Sequence, residues 1–165
     1  MADIGLSTRS KERTRRPTQI ELDNICTWFQ VKERQQVPMW ELIAFAVGTA
    51  MRLGEIISLK WTDLNEQDRI IIIRNRKHPR TKMENDQEGP LLGSTFDIIK
   101  RQPRDAKEER IFPVTESTVS SLFPRACKTP KIKDLHFHDL RHDGVSRLFE
   151  QGFGIEQSWR DRQVN

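Results

Sequence analysis

The chain has 165 residues, a formal net charge of +4, and 35% apolar against 32% charged residues. That length encloses one hydrophobic core and does not divide readily into two. Its longest wholly apolar run, residues 42–48, is far too short to span a membrane, and the first residues are polar and basic where a signal peptide needs an apolar stretch. A cytoplasmic protein with no membrane partner is expected. The two cysteines, Cys26 and Cys127, match no zinc-ribbon spacing and are expected as reduced thiols in the core. The tyrosine count is zero, which excludes any mechanism in which these residues supply a phenolic nucleophile.

Residues 1–16 set Arg9, Lys11, Arg13, Arg15 and Arg16 against Asp3 and Glu12 with almost no apolar periodicity. They read as a flexible basic arm, either a solvated leader or a segment that lies along a nucleic-acid backbone. After Pro17, Thr18 and Glu21 form a capping-box pair, and Leu22, Ile25, Cys26 and Phe29 recur at helical spacing, which predicts a helix over residues 18–32. Pro38 suits a first helical turn, and residues 40–50 are apolar on nearly every face, as in a helix at the centre of the core. A short helical stretch follows over residues 55–58. Four consecutive isoleucines within residues 69–74 predict a strand, because β-branched side chains stack well on a pleated surface. A polar loop over 75–88 leads to a return strand over 89–92. Ser94 and Asp97 open a helix to residue 101, a charged loop covers 102–110, and residues 111–114 read as a short extended piece. Val119, Leu122, Phe123 and Ala126 show helical spacing, with Pro124 expected to kink the helix or delay its start. The last helix, over 139–151, is expected to turn Leu140, Leu148 and Phe149 inward and to stop at Gly152. The fold class is α+β, mainly α-helical with a small antiparallel sheet.

Three groups of residues can carry chemistry. His136, His138, Arg141 and His142 fall within seven residues at a helix start, where unpaired backbone N–H groups and the helix dipole favour an anion. His138 and Arg141, three apart, can address one cluster of oxygens. His138 and His142 are also spaced like zinc ligands, with His136 or Cys127 as a third, although Arg141 would place a fixed cation beside the metal. The second group follows the most apolar helix: Arg52 cannot shed its charge, and it either pairs in the interior with Glu55 or aims a fork at a phosphate. The third is the hairpin, where Arg74, Arg76, Lys77, Arg80 and Lys82 are either a solvated loop or phosphate contacts with a lysine placed to donate a proton.

The runs TAMRLGEIISLKWTDL, GPLL and LHFHDLRHDGVSRLFEQG, in that order and at these separations, resemble the catalytic domain of the tyrosine recombinases, the phage integrase family. The likeness covers residues 17–157. It implies an integrase-like catalytic core in which Arg52, His138 and Arg141 hold the scissile phosphate, Glu55 accompanies Arg52, and Lys77, or else Lys82, acts as general acid. Arg74, Arg76, Arg80, Lys82 and His142 are then expected to contact duplex DNA. No cofactor is implied. Double-stranded DNA is the partner, with self-association on DNA as a further expectation.

The family continues past this helix through a further His or Trp box to its nucleophilic tyrosine, and residues 158–165 carry neither. Trp159 lacks the surrounding pattern and is not assigned that role. The resemblance therefore implies an incomplete catalytic domain over 17–157 with a divergent tail over 158–165, as a shifted frame or a deletion after Gln157 would produce. The rival expectation is a catalytically dead DNA-binding regulator or a remnant.

Overall fold

The computed structural model describes residues 13–32, 38–76, 85–153 and 160–161. The first helix, α1 (Gln19–Val31), starts on the expected capping box: Thr18 accepts from the Glu21 N–H, and the Glu21 carboxylate accepts from the Thr18 N–H. Leu22, Ile25 and Phe29 form its buried stripe. Helix α2 (Met39–Thr49) is the centre of the core, and of its eleven residues only Ala44 is exposed. It ends where Ala50 takes a left-handed conformation, φ 54°. That turn swings the chain into α3 (Leu53–Ser58) and a 3₁₀ turn (Trp61–Asp63).

The isoleucine run forms β2 (Ile70–Ile73), between β1 (Leu64–Asn65) and β3 (Gln87–Pro90). Ile71 and Ile73 face the core while Ile70 and Ile72 are half-buried, the alternation of a sheet covered on one face. The return strand lies two residues earlier than its composition suggests, because Ile71 pairs with Gly89 and Ile73 with Gln87. A two-residue strand, β4 (Arg160–Asp161), pairs with the outer edge of β3, so part of the tail completes an antiparallel sheet in the order β1-β2-β3-β4.

Helix α4 (Thr95–Arg101) lacks the expected Ser94 cap; Ser94 is already helical and the Thr95 hydroxyl donates to the Leu92 carbonyl instead. Residues 111–114 form no strand, although Ile111, Phe112 and Val114 are buried and the Ile111 N–H donates to Leu59. Helix α5 (Glu116–Lys128) begins on a Thr115 cap and continues past Pro124 without a break. The carbonyl that loses its donor there belongs to exposed Ser120, where solvent can satisfy it. Helix α6 (Asp139–Glu150) buries Leu140 and Leu148, but Phe149 is exposed. Nine positions along a helix is half a revolution, so one helix cannot bury both Leu140 and Phe149 on the same face. Gly152, φ 87°, closes the helix.

Helix α2 packs against α1, α4 and α6. Its contact with α6 is made close by Gly144, where an added Cβ would lie 2.5 Å from the Val47 carbonyl oxygen and 3.1 Å from the Ala50 Cα. Both cysteines are free; Cys127 is buried and Cys26 half-buried, and burial pushes both thiols up. Among the described residues no helix is long and apolar enough to cross a membrane.

Candidate functional site

The turn after α2 delivers Arg52 to the start of α3, one helical turn before Glu55. The Glu55 carboxylate accepts from the Arg52 backbone N–H at 2.9 Å and from its guanidinium at 3.0 Å. The pair therefore forms, but it is not an interior pair: the Arg52 side chain is 44% exposed and Glu55 11%. Glu55 holds Arg52 from behind and leaves the rest of its fork open to solvent.

The close α2–α6 crossing brings the other group to the same place. Arg141, on the first turn of α6, donates from Nη1 to the Ala50 carbonyl oxygen at 2.8 Å, and that nitrogen is 4.0 Å from Glu55 Oε2. Arg52, His138 and Arg141 line one cleft of about 440 Å³, together with His136 and an apolar wall that includes Phe123, Leu135 and Phe137. The rings of His138 and His142 meet edge to face with centroids 5.1 Å apart.

The electrostatics of this cleft are those of a site short of negative charge. Burial, reinforced by the positive charge of Arg52 and opposed by Glu55, pushes the Arg141 guanidinium down to about 10. Burial also lowers His138, with His142 and Arg141 acting in the same direction, so its neutral form is favoured. An anion among these groups offsets the like-charge repulsion that adds to burial in depressing them.

Of the hairpin cations, the two among the described residues, Arg74 and Arg76, are engaged with carboxylates. Arg74, half exposed, binds the buried carboxylate of Asp63 at 2.6 Å. Arg76 points inward, with its side chain 8% exposed, and bonds Glu55 Oε1 at 3.2 Å and Gln87 Oε1 at 2.7 Å. It is thus a third guanidinium on Glu55 rather than an outward contact, and burial lowers its pKa. Lys77, Arg80 and Lys82 lie outside the described residues.

Among the described residues no group of three His, Cys, Asp or Glu side chains is placed to hold a metal ion, so the spacing of His138 and His142 gains no third ligand.

Sequence reasoning missed what lies behind the site. Arg13, Arg15 and Arg16, read as part of a flexible arm, are engaged with carboxylates: Arg13 with Asp134 and Asp139, Arg15 with Glu21, and Arg16 with Asp143 and Glu150. The signal was present in α6, where Asp139 and Asp143 are four apart on a helix packed to the core and require cations.

The phage integrase family model matches residues 18–157, and the chain belongs to that family. The chain is 30% identical over 143 residues to the shufflon-specific DNA recombinase of Escherichia coli, an alignment that covers 87% of this chain and 35% of the relative. It is 26% identical over 137 residues to the integrase of Salmonella phage P22, covering 73% of this chain and 34% of that protein. The chain thus spans about a third of the length of these two curated relatives. In fold it is similar to the Tn1549 transposon integrase solved in complex with transposon right end DNA, with a TM-score of 0.67 at 19% identity over 88% of this chain and 56% of that one. It is also similar to a lambda integrase dimer bound to a COC' core site, with a TM-score of 0.63 at 25% identity over 88% of this chain and 56% of that one. These likenesses show an integrase catalytic-domain fold, α-helical with a small antiparallel sheet, as the sequence predicts.

Proposed function

We propose that residues 17–157 are the catalytic domain of a site-specific DNA recombinase, holding the phosphate-binding apparatus for strand transesterification without its attacking group. The single observation that carries this is the convergence of Arg52, His138 and Arg141 on one cleft, with Glu55 behind the two guanidiniums. Attack at phosphorus builds negative charge on the nonbridging oxygens, and preorganised guanidiniums in a partly dry site offset it. His138, its neutral form favoured by burial, accepts or positions a proton near that phosphate. Lys77 serves as the general acid for the leaving 5′-oxygen, and Arg74, Arg80, Lys82 and His142 address the flanking backbone. Arg76, turned onto Glu55, serves the site from within rather than touching DNA.

The partner is duplex DNA, in keeping with the DNA complexes of the Tn1549 and lambda integrases, and the lambda dimer supports self-association on DNA. A nucleophilic tyrosine, which in the family forms the covalent 3′-phosphotyrosine link, is not among these 165 residues. For these residues by themselves the second reading is a DNA-binding module that occupies sites without cutting them. Water in place of a positioned nucleophile forfeits much of a proximity contribution worth up to ~7–11 kcal/mol.

Incubation of the chain with a nicked suicide duplex tests the proposal. The expected result is DNA binding with no covalent protein–DNA adduct at any pH. A robust adduct mapping to Cys127 or a serine would overturn the absence of an attacking group, and failure to bind any duplex would overturn the function itself.

A further inference from the structure

Behind the cleft, the segment that enters the domain crosses the start and the middle of α6. Arg13 forks onto Asp139, Nε to Oδ1 at 3.0 Å and Nη2 to Oδ2 at 2.9 Å, and also reaches the Asp134 side chain and carbonyl. One turn along, Arg16 Nε donates to Asp143 Oδ1 at 3.0 Å while its Nη1 bonds Glu150 at 2.8 Å. Both aspartate side chains are essentially inaccessible, 0% and 1% exposed, whereas the two arginines keep a third or more of their surface in solvent. A buried carboxylate is tolerated only when its charge is met, and bidentate guanidinium pairing meets it with a fixed geometry.

These two aspartates bracket the site. Asp139 is the neighbour of His138, and its Oδ2 also accepts from the His136 N–H at 2.8 Å, so one carboxylate ties together the Arg13 fork and the first turn of α6. Asp143 is the neighbour of His142 and is shared between Arg16 and Arg147. Arg13 is the only cation on Asp139 among the described residues, while Asp143 keeps Arg147 if Arg16 is lost.

We propose that residues 13–16 form a positioning strap, in which Arg13 and Arg16 clamp Asp139 and Asp143 and thereby fix the orientation of α6, the helix that presents His138 and Arg141. The folded unit then includes Arg13, four residues before the boundary read from composition. Arg13 and Arg16 are positioning residues that reach the phosphate site only through the two aspartates. The alternative inherited from composition, that these arginines lie on the DNA backbone, makes the opposite prediction for the aspartates.

The inference rests on the proposed DNA site for one readout and is independent of it for another. The full-length chain and its variants Asp139→Asn, Arg13→Gln and Arg13→Lys are compared by duplex-DNA titration and by the NMR signals of the His138 imidazole, recorded at a temperature where each is folded. Asp139→Asn makes the protein more positive, so if Arg13 contacted DNA, freeing it would strengthen binding. The strap predicts a loss of roughly tenfold despite the added charge, together with a displaced His138 resonance. Arg13→Lys keeps the charge and loses the fork, and it is expected to weaken binding in the same direction and to move His138. Should Asp139→Asn fail to fold, Arg13→Lys alone decides. Unchanged or tighter binding with an unmoved His138 signal in Asp139→Asn or Arg13→Lys would overturn the strap. If the parent chain binds no duplex, the proposed function fails while the His138 signal still decides the strap.

Discussion

Arg141 on α6 donates a hydrogen bond to the carbonyl oxygen of Ala50, at 2.8 Å, across the α2–α6 contact. Ala50 ends α2 in a left-handed conformation, so its carbonyl has no helical donor, and the guanidinium supplies one. The same turn projects Arg52. This hydrogen bond, between residues ninety-one apart in sequence, and Glu55 beside both guanidiniums set Arg52 and Arg141 relative to each other. Arg141→Lys keeps a charge in the cleft but loses the planar fork that serves Ala50 and, on the proposed function, a phosphate together. Thermal unfolding should show a loss of about 1–3 kcal/mol, as for a charged hydrogen bond to a partly buried carbonyl, and duplex titration should show weakened binding.

Gly144 makes that contact close. Its replacement by Ala places a methyl 2.5 Å from the Val47 carbonyl, a backbone atom that cannot swing aside. We expect Gly144→Ala to cost about 1–3 kcal/mol by overpacking, measured by denaturant titration, and to weaken DNA binding because α6 must shift away from Ala50. Gly93, which has open space around it, is not a useful size control because its φ of 56° adds backbone strain.

Affinity for duplex should depend steeply on salt. On the proposed function Arg52, Arg141 and the hairpin cations other than Arg76 contact phosphates, which carry no sequence information. Raising salt from about 50 to 200 mM should reduce affinity ~100-fold or more, and Arg52→Ala should lower the salt slope by about one phosphate contact. A flat salt profile would contradict the phosphate reading.

His138 should titrate below the ordinary histidine range in the free protein, because burial and the neighbouring His142 and Arg141 disfavour its charged form. The sign follows from linkage: the unfolded chain binds the proton more readily, so this histidine's contribution to stability is present above the unfolded pKa and is lost as pH falls below it. A bound phosphate should move the pKa up, since an anion stabilises the imidazolium. NMR titration of the His138 ring with and without duplex checks both directions.

Much of this was legible in the primary structure, for physical reasons that differ from element to element. The Thr18–Glu21 box, the isoleucine run and the apolar helix ahead of Arg52 are local signals, and each produced the expected element. The convergence of Arg52 with His138 and Arg141 was legible only through the family's motifs, since no local rule joins residues ninety apart. What was lost depends on tertiary partners. Strand β1 has two residues and no pattern of its own, Phe149 looks inward until the half-turn from Leu140 is counted, and Arg76 looks like a surface cation until Glu55 is seen beneath it. The contacts of Arg13 and Arg16 do not show in the sequence around them, because each lies more than a hundred residues from the aspartate it meets.

The most direct test of the phosphate site is duplex affinity of Arg52→Ala measured beside its thermal unfolding. Arg52 is half exposed and held from behind by Glu55, so its removal should leave the melting temperature within a few degrees of the parent while affinity falls about tenfold or more. A variant that melts far earlier yet binds duplex as tightly as the parent would make Arg52–Glu55 a structural pair and contradict the account.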